Sequence, residues 1–237
     1  MRKFLALSCV TAVSLAALGM LVPAALAQGD PDRVIPGGGI FVPGWTGKID
    51  ASSAGQGRVL NDAKFVQEGP NLHVTTGPAT TFWNPANKAT GDYTVKATFT
   101  EPKYMALNSH PHSYGIVIGG NDLGTDQQSL LYCAAYGNGT FIVRGFGPAP
   151  FQMNGRQGVP NPAVHKAAAQ NEPVTQEIAF TVKGGRAECS INGTMVAGYD
   201  KAEIVAPGKL KSTDGVWGLR FTHNVEAIIA GLAMTKP

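Results

Sequence analysis

From residue 92 to residue 100, polar and apolar side chains alternate with a strict period of two. Tyr93, Val95, Ala97 and Phe99 fall on one face, and Thr94, Lys96, Thr98 and Thr100 on the other. Only an extended chain separates side chains in this way, so the segment predicts a strand with one face in a core and one in water. The period recurs in short runs down the chain. Residues 114–119, 130–136, 140–146, 175–183, 186–191, 194–199, 216–223 and 227–234 read as strands, with weaker ones at 64–67, 72–76 and 80–83. Asn138-Gly139, Gly184-Gly185 and Asn192-Gly193 stand between consecutive runs, and such pairs tolerate the positive φ of tight hairpins. Both Asn-Gly-Thr strings also match a glycosylation acceptor, but the turns account for them.

Helix is expected only at 162–169 and 201–204. With 30 glycines and 16 prolines the chain is too rich in turns for a helical bundle, and at 43% hydrophobic it is too apolar to be disordered. About a dozen short strands joined this way are best buried as an all-β, two-sheet antiparallel sandwich or jelly roll with little helix. The long connection from Gly147 to Pro173 breaks the pattern, and loops of that length commonly carry function.

Residues 1–27 read as a cleavable signal peptide. Met1-Arg2-Lys3 is basic, Phe4 to Val22 is apolar apart from small residues, Pro23 interrupts it, and Ala25-Leu26-Ala27 has the small-x-small pattern. Residues 28–39, with three consecutive glycines, are expected as a flexible lead-in, and 40–237 as a single β-sandwich domain. The protein is thus expected to be exported, periplasmic or secreted, with no stable membrane insertion after signal cleavage. Arg2 and Lys3 leave with the signal, so 17 of the 19 basic residues remain against 16 acids. A net charge of +1 gives no electrostatic pull toward nucleic acid. Cys133 and Cys189 also remain. Export permits one disulfide between them, and two separate buried cysteines are the alternative.

Several segments carry a family resemblance. Gly91 to Phe99 is similar to a strand of concanavalin-like sandwiches. Ile178 to Val182, Glu188 to Thr194 and Gly215-Val216-Trp217-Gly218-Leu219-Arg220-Phe221 resemble the closing strands of laminin-G-like domains. The chain also resembles exported 3-keto-disaccharide hydrolase-type domains, whose opening segment Gly44 to Asp50 is similar to. The resemblance implies a concanavalin-like fold with a ligand on the concave sheet. These motifs are turn and core signals, so they bear on fold more than on chemistry.

Alternation selects the residues that look outward. Trp217, Leu219 and Phe221 form a core set, which leaves Arg220 outside. Phe141 and Val143 leave Ile142 and Arg144 outside, and Leu131 with Cys133 leaves Tyr132 outside. Two arginines beside an aromatic ring suit hydroxyl-rich or carboxylate-bearing ligands. Trp83, followed by Asn84-Pro85 at an expected strand end, is the candidate for an exposed stacking platform. Asp122, in the oxygen-rich loop Gly119 to Asp126, is expected at the rim. That loop has the composition to wrap calcium, though its spacing matches no EF-hand, and no motif calls for any other cofactor.

His110-Pro111-His112 is the densest titratable cluster. With His223 it can make a three-imidazole metal site or supply a general base. Against convergence, Pro111 holds the segment extended, and no carboxylate close in sequence orients the rings. Absences narrow the chemistry: there is no Glu-x-Asp-x-Glu string, Gly-x-Ser-x-Gly elbow or His-Glu-x-x-His.

The expectation is an exported protein that binds a carbohydrate or other small polar ligand through Arg144, Arg220, Tyr132, Trp83 and Asp122. One alternative is an enzyme of the 3-keto-disaccharide hydrolase type with His112 or His223 as base. The other is a structural or protein-binding module using the Gly147–Pro173 connection.

Overall fold

A computed structural model describes residues 30–237; the expected signal at residues 1–27 lies outside them. The chain forms β1 (Gly39–Ile40), β2 (Thr46–Ile49), β3 (Lys64–Glu68), β4 (Asn71–Thr75), β5 (Thr80–Ala89), β6 (Tyr93–Glu101), β7 (Ser113–Asn121) and β8 (Ser129–Tyr136). It continues through β9 (Thr140–Phe146), β10 (Pro150–Gln152), β11 (Val159–Pro160), β12 (Val174–Lys183), β13 (Arg186–Ile191), β14 (Thr194–Asp200), β15 (Gly215–Phe221) and β16 (Glu226–Thr235). The α-helices are single turns, α1 (Ala51–Gly55) and α2 (Lys201–Ile204).

The first sheet has the order β1-β3-β4-β16-β6-β12-β13-β14. The second has β10-β9-β8-β7-β15-β5-β2, with β11 also paired to β9. The result is a curled antiparallel jelly-roll sandwich of the concanavalin-like kind, with little helix. The inward faces supply a core crossed by aromatic contacts. Ring centroids lie 4.9 Å apart for Phe65–Phe82, 6.1 Å for Phe82–Phe221, 6.3 Å for Phe221–Phe99 and 5.6 Å for Phe99–Tyr114. All five rings are fully buried, each contributing about 1.5–3 kcal/mol of apolar transfer. Cys133 on β8 and Cys189 on β13 are disulfide-bonded, with Cα atoms 6.1 Å apart, so the bond ties one sheet to the other.

Two of the three glycine turns take positive φ at both residues, while at Asn138-Gly139 only Gly139, at 87°, does so and Asn138 bridges to Lys166 instead. Asn192 and Gly193 have φ of 50° and 79° between β13 and β14, and Gly184 and Gly185 have 57° and 82° between β12 and β13. An ordinary side chain is strained at both positions of such a turn.

Three expectations are corrected. Residues 162–169 form no helix, because tertiary partners take their backbone groups. Ala167 N–H donates to Gly137 O at 2.8 Å, and His165 N–H donates to the buried Gln176 Oε1 at 3.0 Å. The strand at Thr80 does not stop at Trp83 but runs to Ala89. Its ladder to β15 skips residues 84–87, so Pro85 falls in an unpaired stretch where its missing N–H costs nothing. Residues 30–39, expected to be flexible, are fastened to the sandwich. Arg33 N–H donates to Asn224 Oδ1 at 2.9 Å, and Asn224 Nδ2 donates to Pro31 O at 2.9 Å.

The long connection is also laid down. β10 folds back on β9 with Phe151 opposite Gly145, and Val143 N–H donates to Asn154 Oδ1 at 2.8 Å. Part of this segment thereby becomes a wall beside the outer face of the second sheet.

Candidate functional site

Strand parity sorts the second sheet as its alternation predicts. Phe141, Val143, Leu131, Cys133, Trp217, Leu219 and Phe221 belong to the core between the sheets. Tyr132 and Ile142 join Val117, Leu130 and Ala134 in a separate apolar cluster on the outer face, under Leu123, Tyr136 and Phe146. That face is therefore clothed rather than simply wet. Register brings the polar candidates together on it. Tyr132 pairs with Arg144 on β9, and Arg220 pairs with Thr81 on β5.

Arg220 is 3% exposed, yet it lies on this outer face and not between the layers. Its Nη1 and Nη2 each donate to one carboxylate oxygen of Asp50 at 2.6 Å. The guanidinium carbon stands 5.5 Å from the Tyr132 ring centroid and 5.2 Å from that of Phe146. Burial disfavours the charge, but the Asp50 carboxylate and its hydrogen bonds outweigh that and hold the group above its usual range. Burial raises the Tyr132 hydroxyl, against the pull of Arg220 and Arg144, so the phenol stays protonated near neutral pH.

These side chains line a cavity of about 940 Å³, within the size range of small-molecule sites. Asp50, Tyr132, Arg144, Phe146 and Arg220 line it together with Phe151, and Asp30, Asp32 and His223 are also among its lining residues. Arg144 Nη2 donates to Arg156 O, while the buried Nε of Arg144 has no partner among the described residues, and neither has that of Arg220. A buried N–H left in this state is costly.

The histidine expectation changes in two ways. Pro111 does not keep the rings apart: His110 and His112 Nε2 atoms lie 2.9 Å from each other, and the His112 and His223 rings stack at 4.1 Å. Carboxylates are present too, delivered from the N-terminal segment. His223 Nδ1 lies 2.9 Å from Asp32 Oδ1, and His110 Nδ1 lies 3.6 Å from Asp30 Oδ2. His223 is on the cavity wall, with His112 buried beside it. Burial, followed by the His223 and His110 rings, pushes His112 down to about 3.

Besides His112, two predicted residues are not part of this cavity. Trp83, at 5% exposed, is no open platform; the loop after β7 passes over it, with the position of a Cβ on Gly124 3.6 Å from its ring. Asp122 faces a different cleft, with Lys88, Asp214 and Val216, and pairs with Lys211. Sequence reasoning missed Asp50, Asp32, Phe146 and Phe151. Asp50 stands 170 residues from Arg220, and no local pattern joins them.

No protein-family model matches the chain, and no curated protein matches it. Solved structures do share its shape. A Bacillus subtilis protein of unknown function with a galectin-like fold superposes with a TM-score of 0.51 at 12% identity, over 81% of this chain and 89% of that one. An endo-β-1,3-glucanase from Pyrococcus furiosus gives 0.48 at 12% identity over 82% and 88%. A putative glycosyl hydrolase from Parabacteroides distasonis gives 0.47 at 14% identity over 81% and 99%. At these identities the likeness concerns the fold alone, and the first of the three supports a galectin-like sandwich.

Proposed function

We propose that this protein binds a carbohydrate or related polar ligand, bearing hydroxyls or a carboxylate, in the cavity on the outer face of its second sheet. One observation carries the reading: the Arg144 and Arg220 guanidinium groups line one cavity on the outer face of a single sheet. Tyr132 and Phe146 beside them offer apolar ring surface, the usual complement to such polar donors in a sugar site. Arg220 is held by Asp50, so its part is to fix charge and orientation, while Arg144, bonded through Nη2 to one backbone carbonyl, has donors to spare. The sandwich shared with galectin-like proteins agrees with this use without specifying a ligand. The disulfide and the signal-like N-terminus together support export to an oxidising compartment.

The reading is tested by titrating the protein with neutral and uronate-containing oligosaccharides. Binding by at least one panel member, weakened at least about tenfold in Arg144→Ala with the fold intact, supports it. Binding that Arg144→Ala leaves unchanged, or a panel with no binder, overturns it.

A second reading, cleavage of a 3-keto glycoside, draws on His223 at the cavity wall with Asp32 behind its Nδ1. His223 would take the acidic C–H proton beside the ketone. The resulting enolate, its oxygen stabilised by an arginine, would expel the glycosidic oxygen, which leaves with the proton returned by the His223 imidazolium. Turnover of a 3-keto glycoside that disappears in His223→Ala favours this reading; binding without turnover favours the first.

A further inference from the structure

Two separate segments deliver three imidazoles to the edge of the cavity. His112 immediately precedes β7 and His223 closely follows β15, and these strands pair with Phe221 opposite Tyr114. Beyond that pair, Thr222 N–H donates to Ser113 O at 2.9 Å, and Ser113 N–H donates to Thr222 Oγ1 at 2.7 Å. The backbones that carry His112 and His223 are therefore locked side by side, which explains the stacked rings. His110 adds the third, and one ring nitrogen from each lies within 4.8 Å of the others. Nitrogens around a tetrahedral zinc stand roughly 3.4 Å apart, so a shift of about an ångström closes the set.

Two further features distinguish the cluster from incidental packing. Asp32 Oδ1 lies 2.9 Å from His223 Nδ1 and Asp30 Oδ2 3.6 Å from His110 Nδ1, so carboxylates flank the cluster on the side from which they support histidine ligands in metal sites. His112 is 4% exposed and its Nδ1 has no partner, so the fold keeps a desolvated imidazole there at a cost.

We propose that His110, His112 and His223 bind one divalent transition-metal ion of the zinc class, with a coordination position directed to the cavity. Three imidazoles suit zinc, cobalt, nickel or copper and do not suit calcium or magnesium. Because His223, Asp30 and Asp32 line the cavity, an ion here adds positive charge beside the two arginines. Loaded with metal, His223 is a ligand and not a base. The proposal concerns the metal alone and stands whether or not a saccharide binds.

The test is calorimetric titration of untagged, chelator-stripped protein with zinc chloride, paired with the visible absorption of cobalt(II) added to the same protein. The expected result is one zinc per chain with a Kd of roughly micromolar or tighter, and a four-coordinate cobalt spectrum. His110→Ala and His223→Ala each weaken zinc binding roughly 100-fold or more, and Asp32→Asn weakens it about 10- to 100-fold. The double variant His73→Ala with His165→Ala binds as the parent does. His110 is half exposed, so its variant remains informative should His112→Ala fail to fold. Absence of zinc binding, or binding that follows His73 and His165 instead, overturns the proposal.

Discussion

Asp50 closes both of its carboxylate oxygens on the guanidinium of Arg220, at 2.6 Å each, from the start of a helix that it does not cap. A residue in that position usually accepts from its own helix. Here the carboxylate is turned to neutralise the one arginine on the outer face that is 3% exposed. The pair fixes the floor of the cavity, and Tyr132 and Phe146 close over it.

Removing one partner of a buried pair strands the other. Asp50→Ala is expected to cost about 3–5 kcal/mol in denaturant unfolding. A double variant, Asp50→Leu with Arg220→Met, is expected to recover most of that loss, because the uncompensated charge has gone. Equal losses in the single and double variants would show that shape rather than charge pairing holds this region.

The disulfide is expected to carry a large share of the stability. Cys133 and Cys189 are 56 residues apart, and in the chain-entropy account closing a loop of that size is worth roughly 4 kcal/mol. The variant with both cysteines changed to alanine should unfold roughly 8–16 °C below the parent under non-reducing conditions. A difference of one or two degrees would contradict the assignment of that stability to the link between sheets.

Glu101 introduces a pH dependence. It is 2% exposed, with Oε1 accepting from Met105 N–H at 3.2 Å and Oε2 lacking a partner. Burial raises its carboxyl from near 4.5 to about 7, against the pull of the Met105 hydrogen bond. The folded state holds the proton more tightly than the unfolded one. Its stabilising contribution is therefore complete below pH 4.5 and is lost as the pH rises through 7, on the order of 3 kcal/mol in all. Unfolding free energies of the parent minus those of Glu101→Gln, followed from pH 4 to 8, should show this decline. A flat difference would contradict it.

Asp122 and the cavity are expected to be independent. Its carboxylate pairs with Lys211 at a separate cleft, so Asp122→Asn should leave saccharide affinity within about twofold of the parent. A tenfold change would move the binding surface to that cleft.

The sandwich was legible because alternation is a local property. Phe141–Val143 against Ile142–Arg144, and Leu219–Phe221 against Arg220, fall on opposite sides of one strand wherever that strand lies. The Asn192-Gly193 turn was legible for the same reason. Partners were not. Asp50 reaches Arg220 from a distant strand end, and Asp32 reaches His223 from the N-terminal segment, so neither contact leaves a periodic trace. Trp83 shows the limit most clearly. Its place before Asn84-Pro85 suggests an exposed strand end, but β5 runs on to Ala89 and the loop at Gly124 covers the ring, which no local pattern registers.

The central claim is that the Arg144 and Arg220 guanidinium groups line one cavity that a saccharide enters. Proton–nitrogen correlation spectra that resolve arginine Nε–H signals report on those groups directly as saccharide is added. The account predicts that the Arg144 and Arg220 signals shift and saturate together while that of Arg186, paired with Asp200 on the other sheet, stays in place. Shifts confined to Arg186 or to residues around Asp122 and Asp214, with Arg144 and Arg220 unmoved, would contradict it.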